Sequence, residues 1–251
     1  SAKGVASAIR DAESARAAER ALWASLTSST DGFVDRHFNR PVGRSLSKLL
    51  VHTPVSPNAV SLASILIGLV AAGCFAVGNF AMVVTGALLF QLSAIVDCVD
   101  GDIARAVFKE SPLGKWLDLA GGQVVHVSVF ATIAVGLWRQ DSAAPVAWLG
   151  LSAVAGAILS FAVVVRGMKQ VTDQSSPRLR KLMDSATNRD FSVLVLVLAL
   201  LERLDVFLWL TAVGSHLFWI ALLRLQRAAP RATATSLPNS QSPTSGKAGG
   251  S

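Results

Sequence analysis

The stretch DCVDGDIARAVFKESPLGKWLD, residues 97–118, lies between two apolar runs, residues 80–96 and 124–138, and its reading decides the fold. Each run approaches the roughly 20 residues that a membrane-spanning helix needs. A hairpin of two such helices brings the end of the first and the start of the second to one membrane face, so Asp97 and Asp100 meet Asp118 across a short loop. Asp97 and Asp100 are three residues apart, which puts both on one helix face. Carboxylates at membrane depth are costly and persist mainly where they are paired or hold a cation. Oxygen donors with no His or Cys among them suit Mg²⁺ or Mn²⁺ holding a pyrophosphate, as in sites of phosphoryl transfer. A solvated acidic helix end would scatter its acids instead of spacing them in this way.

Outward from this stretch the chain keeps the same character. Its 251 residues are 52% hydrophobic and 16% charged, and the mean hydropathy is +0.50, far from a soluble domain of this length. Further apolar runs cover residues 59–77, 145–165, 191–201 and 206–223, giving an all-α bundle of six transmembrane helices. The run at 191–201 is short, and a buried half-helix is its alternative. The basic residues settle the orientation: of 23 Lys and Arg, only Arg139 and Arg203 fall on the far side of a six-span layout. By the positive-inside rule both termini, and the carboxylates, are cytoplasmic. The net charge of +7 therefore follows the membrane, and no basic patch with interleaved aromatics points to nucleic acid. Cys74 and Cys98 are too few and too far apart for a disulfide framework or a zinc site.

Four segments follow from these patterns. Residues 1–32 read as a polar helix and linker with a break at TSSTDG, residues 27–32. Residues 33–51 read as an amphipathic helix with Phe33, Phe38, Val42, Leu46 and Leu49 between Arg36, Arg40, Arg44 and Lys48. Such a helix lies in the membrane interface with its arginines toward lipid phosphates, unless it packs on a soluble partner domain. Residues 52–227 form the six-span domain, and residues 228–251, rich in Pro, Ser, Thr and Gly, read as a disordered tail. With neither an initiator Met nor a signal peptide at its start, the chain reads as a piece of something longer.

The pattern Asp97-x-x-Asp100-Gly101-x-x-Ala104-Arg105, eight residues, then Gly114-x-x-x-Asp118 resembles the signature of the CDP-alcohol phosphotransferase family, with seven positions matched over 22 residues. The resemblance covers about residues 33–227 and implies metal-dependent transfer of a phosphoalcohol from a CDP-linked donor, CDP-diacylglycerol or a CDP-polyol, to an acceptor alcohol with release of CMP. Carried over, it makes Asp97, Asp100 and Asp118 ligands of two divalent cations, Mg²⁺ or Mn²⁺. Gly101, Ala104 and Gly114 would let the cytidine nucleotide approach, since a side chain there fills its space. Arg105 is a phosphate partner with a matching fork of donors. The resemblance also implies a homodimer in a prokaryotic cytoplasmic membrane. The segment TDGFVDRHFNRPVGR, residues 30–44, looks like the linker of members with a fused cytidylyltransferase, as in di-inositol phosphate phosphate synthesis.

One position departs from the family. The pattern ends in a fourth Asp, the general base for the acceptor hydroxyl, and here Gly122 stands in its place. Three readings follow: an inactivating change, a pseudoenzyme that still binds nucleotide, or a base supplied elsewhere. His126, four residues on and on a similar helix face, is the candidate base, with a plain packing role as its alternative. Arg166, Lys169 and Arg189 flank the fourth and fifth spans and either bind a phosphate on the acceptor or simply follow the positive-inside rule. A Mg²⁺-dependent membrane prenyltransferase is a further alternative, but it usually needs two Asp-rich clusters and gives the Gly and Ala spacing no role.

Overall fold

The computed structural model describes residues 8, 10–25, 33–107, 109, 111–141, 144–168 and 191–228. These residues are helical throughout apart from turns. In chain order they form α1 (Ala12–Ser25), a π-helical turn (Asp35–Asn39) running into α2 (Arg40–Leu50), α3 (Pro57–Val77), α4 (Phe80–Ala106), α5 (Pro112–Gln140), α6 (Ala144–Met168), α7 (Phe191–Leu200) and α8 (Leu204–Ala228). Five of them, α3, α4, α5, α6 and α8, are long and apolar enough to cross a membrane, as an integral membrane protein requires. Among the described residues α7 has ten residues and falls short of that length. The expected linker at residues 27–32 and the tail from 229 to 251 lie outside the described residues.

Side chains at the helix starts fix where the spans begin. The Ser56 hydroxyl accepts from the Ala59 N–H with Pro57 in the first turn, and Ser111 does the same for Gly114 with Pro112 behind it. Asn79 caps α4 by accepting from Met82 N–H at 2.9 Å. Each cap satisfies a donor that a helix start would otherwise leave open. Between them α4 and α5 overrun their apolar runs: α4 continues to Ala106 and α5 starts at Pro112, so the whole 97–118 stretch except its short loop is helix.

α4 packs on α3 and α2, α5 on α3 and α6, and α6 on α8, while α7 sits against α4. Phe75, Phe90, Val129, Ile133, Val195, Phe207 and Leu208 are buried at the shared core. Outward residues such as Leu62, Leu66 and Val70 on α3 are as apolar as the core, which suits hydrocarbon rather than water.

α2 departs from expectation. The apolar residues Phe33, Phe38, Val42 and Leu49 are exposed, whereas Asp35, Asn39, Arg40, Gly43 and Ser47 are buried against α4. Arg40, expected to face lipid phosphates, is only 7% exposed. The reason is a carboxylate waiting for it, since Arg40 Nη1 donates to Asp102 Oδ1 of α4 at 2.6 Å. A buried carboxylate without a cationic partner costs far more than turning one arginine inward.

At the opposite end of α3, Gly78 ends the helix with φ +85°, a left-handed value suited to glycine, and it nests against Gly136 of α5. A side chain at Gly136 would run into the Phe75 carbonyl. Gly136→Val is therefore expected to destabilise the bundle by about 1–3 kcal/mol. Gly73→Ala, where nothing lies within 4 Å of the added carbon, should be near neutral. Thermal unfolding of the purified protein in detergent checks both.

Candidate active site

Asp97, Asp100 and Asp118 come together as their spacing implies. One carboxylate oxygen from each lies within 4.8 Å of the others. α4 supplies Asp97 and Asp100 from successive turns, and α5 supplies Asp118 from its second turn. Asp100 is buried, Asp97 is half-buried and Asp118 is exposed. Three acceptor-only groups at this separation repel one another unless cations or donors intervene. An all-oxygen set of this kind fits a hard divalent cation.

The donors come from α3. Ser61 Oγ donates to Asp100 Oδ2, and Ser64 Oγ lies 3.3 Å from Asp97 Oδ1. Both serines are buried. Their i, i+3 spacing on α3 repeats that of the two carboxylates on α4, so each hydroxyl faces one acid. Ser93 of α4 locks the arrangement by donating to the Ser64 carbonyl at 2.7 Å. Sequence reasoning passed over Ser61 and Ser64, although two serines three apart in an apolar run were the available signal.

Two chambers open on either side of the carboxylates. The smaller, about 120 Å³, is lined by Asn58, Ser61, Gly101, Ala104, Lys109 and Lys115, among others. The larger is a cavity of about 590 Å³ whose polar wall carries Asp35, Arg40 and Asp97 and whose far wall is formed by Phe130, Phe161, Phe191 and Phe207. Asp100, Gly101, Arg105 and Asp118 border both. Gly114 borders the small chamber. The glycines also have a local reason for their size. A Cβ on Gly101 would sit 3.2 Å from Arg105 Nη2, so the guanidinium lies over it, and one on Gly114 would sit 3.0 Å from Asn58 Oδ1.

Gly122 is buried and lines the larger cavity. His126 lines it one turn further along, edge-on to Phe191 at 4.8 Å and to Phe90 at 6.4 Å. Arg166, at the end of α6, is exposed and does not border either chamber. Lys169 and Arg189 lie outside the described residues.

A family model described as CDP-alcohol phosphatidyltransferase matches residues 54–223. A bifunctional IPC transferase and DIPP synthase of Rubrobacter xylanophilus is 35% identical over 137 residues, covering 55% of this chain and 29% of that protein. Its namesake from Archaeoglobus fulgidus is 36% identical over 124 residues, covering 49% of this chain and 24% of that protein. The chain thus spans about a quarter of the length of the curated relatives it matches. Among solved structures, Mycobacterium tuberculosis phosphatidylinositol phosphate synthase with CDP-DAG bound superposes with a TM-score of 0.62 at 16% identity, covering 78% of this chain and all of that one. The same protein in complex with manganese and citrate gives a TM-score of 0.54 at 19% identity, covering 77% and 90%. At these identities the likeness concerns the fold.

Partners behind metal ligands commonly change metal affinity by about 10- to 100-fold. Ser61→Ala is accordingly expected to weaken Mn²⁺ binding by about tenfold or more, with Asp100→Asn weakening it further. Calorimetric titration of the purified protein with Mn²⁺ measures both.

Proposed function

Because the chain belongs to the CDP-alcohol phosphatidyltransferase family, we propose that it transfers a phosphoalcohol from a CDP-linked donor to an acceptor alcohol, releasing CMP. The observation that carries this reading is the carboxylate triad on the wall between a small polar chamber and a large cavity. In this reading the nucleotide enters the small chamber, over Gly101, Ala104 and Gly114, with Lys109 and Lys115 favouring its negative charge. Arg105, bordering both chambers, donates to phosphate oxygens at the junction. Asp97, Asp100 and Asp118 would hold two divalent cations, Mg²⁺ or Mn²⁺, which when bound neutralise charge on the diphosphate. The acceptor enters from the larger cavity, whose aromatic wall excludes water from the transfer.

The names of the relatives favour an inositol phosphate or other polyol on one side of the reaction, and that of the solved neighbour allows CDP-diacylglycerol as donor. A cytidylyltransferase, fused or associated, fits the bifunctional relatives. We further assign six spans, with α7 as the short one, cytoplasmic termini, α2 seated in the membrane interface by its exposed apolar face, a domain over residues 52–227 and a homodimer. The positive-inside distribution and the outward Phe33, Phe38, Val42 and Leu49 support the first three of these.

Gly122 favours a second reading, a CDP-binding protein without turnover. It lies on the cavity wall at the position where the family's fourth Asp would meet the acceptor hydroxyl, and glycine can neither take a proton nor hold a cation. His126, on the same wall, is the candidate substitute base. A positioned general base contributes about 10²- to 10⁴-fold in rate. Gly122→Asp should raise CMP release from a CDP-donor by about 10²-fold, and Asp97→Asn should abolish whatever release the native chain shows. A folded, Mn²⁺-loaded Gly122→Asp protein that turned over no faster would overturn the assignment of this position. CDP binding with no CMP release from either form would favour the second reading.

A further inference from the structure

Asp102 occupies an unfixed position of the signature, yet it is 1% exposed and serves two cations at once. Its Oδ1 accepts from Arg40 Nη1 at 2.6 Å and from Arg105 Nη2 at 3.0 Å. One carboxylate thus faces two guanidiniums, each with five donors. Arg105 Nε is buried with no hydrogen-bond partner among the described residues. Both guanidiniums border the larger cavity beside the carboxylate triad, and Arg40, unlike Arg105, borders only that cavity. Arg40 also lies before residue 54, where the family match begins.

We propose that Arg40 and Arg105, tethered by Asp102, form an anion subsite that takes a phosphate group carried by the acceptor alcohol. The inference rests on the transferase reading above, which puts the nucleotide in the other chamber. A pure docking role for Arg40 would be met by a one-to-one ion pair with Asp102. The shared carboxylate instead leaves one positive charge in excess, and burying it unpaired is costly. Asp35 is on the same wall, but its Oδ1 already accepts from Asn39 at 2.7 Å. With the triad's charge committed to cations, an oxyanion is the group that completes the pair, and a guanidinium fork matches phosphate oxygens in two-point contact.

The backbone before Arg40 is arranged for this placement. Arg40 N–H donates to the Asp35 carbonyl five residues back, the mark of a π-helical turn, a form concentrated at functional sites. Asn39 accepts from Gln91 Nε2 at 2.6 Å and donates to Asp35, so the turn is pinned to α4 on the side next to Arg40.

The test uses the full chain in nanodiscs with Mn²⁺, titrated separately with CDP, inorganic phosphate and glycerol 3-phosphate. Charge-assisted hydrogen bonds of this kind are worth enough that Arg40→Gln should weaken phosphate and glycerol 3-phosphate by about tenfold or more. Arg40→Lys should retain part of the affinity, and CDP affinity should stay within about twofold in both. Asp102→Asn, which keeps the shape but loosens both guanidiniums, should weaken the phosphates in the same direction. Unchanged phosphate affinity in a folded Arg40→Gln protein overturns the proposal. Parallel loss of CDP affinity would assign the phosphate to the donor and overturn the acceptor assignment. Failure of the native protein to bind CDP at all would instead count against the transferase reading itself.

Discussion

The mutual repulsion of three carboxylates gathered at the end of an apolar bundle is the constraint around which this structure is organised. At 4.8 Å and a protein-like effective dielectric, two such charges repel by roughly 3 kcal/mol, less where Asp118 meets water. The bundle must offset this before any ligand arrives. Two serine hydroxyls from α3 face Asp97 and Asp100, and Ser93 ties the Ser64 backbone back to α4. The close α3–α4 pairing is thus set by hydrogen bonding at the site as much as by the apolar contacts around Phe75 and Phe90.

The second acidic feature, Asp102, solves its own burial differently. Its two arginines come from opposite directions in sequence, one three residues on and one 62 residues earlier. This long-range pair turns α2 so that polar residues face inward and apolar ones outward. The same contact therefore links the helix before the spans to the wall of the cavity. An inward polar face on a helix whose outer face is apolar is an arrangement that only a low-dielectric exterior rewards.

The sequence made the triad legible because its information is local: two acids at i, i+3 and a third beyond one short hairpin. The all-helical bundle was legible too, since hydrophobic runs of near-spanning length leave few alternatives. Ser61, Ser64, Asn58 and Arg40 were not read, because each matters only through a partner on another helix. Periodicity names the face a residue lies on, not what lies opposite. For α2 it went further astray, since alternating arginine and apolar residues are consistent with either face being inward, and only Asp102 decides between them. The departure at Gly122 was visible from the pattern alone, while its place on the wall of the larger cavity needed the fold.

The π-helical turn at Asp35–Asn39 sets the rotational phase of everything that follows it in α2. A wider turn of this kind accommodates one extra residue, and each residue of an α-helix advances the side chain by about 100°. Removing a single residue from this turn would let it relax to an ordinary helix and swing Arg40 about a quarter of a circle away from Asp102. The length of this segment, more than its composition, is thus what relatives must preserve if their own arginine is to reach the cavity. An alignment that closes a one-residue gap here would pair residues that occupy different sides of the helix.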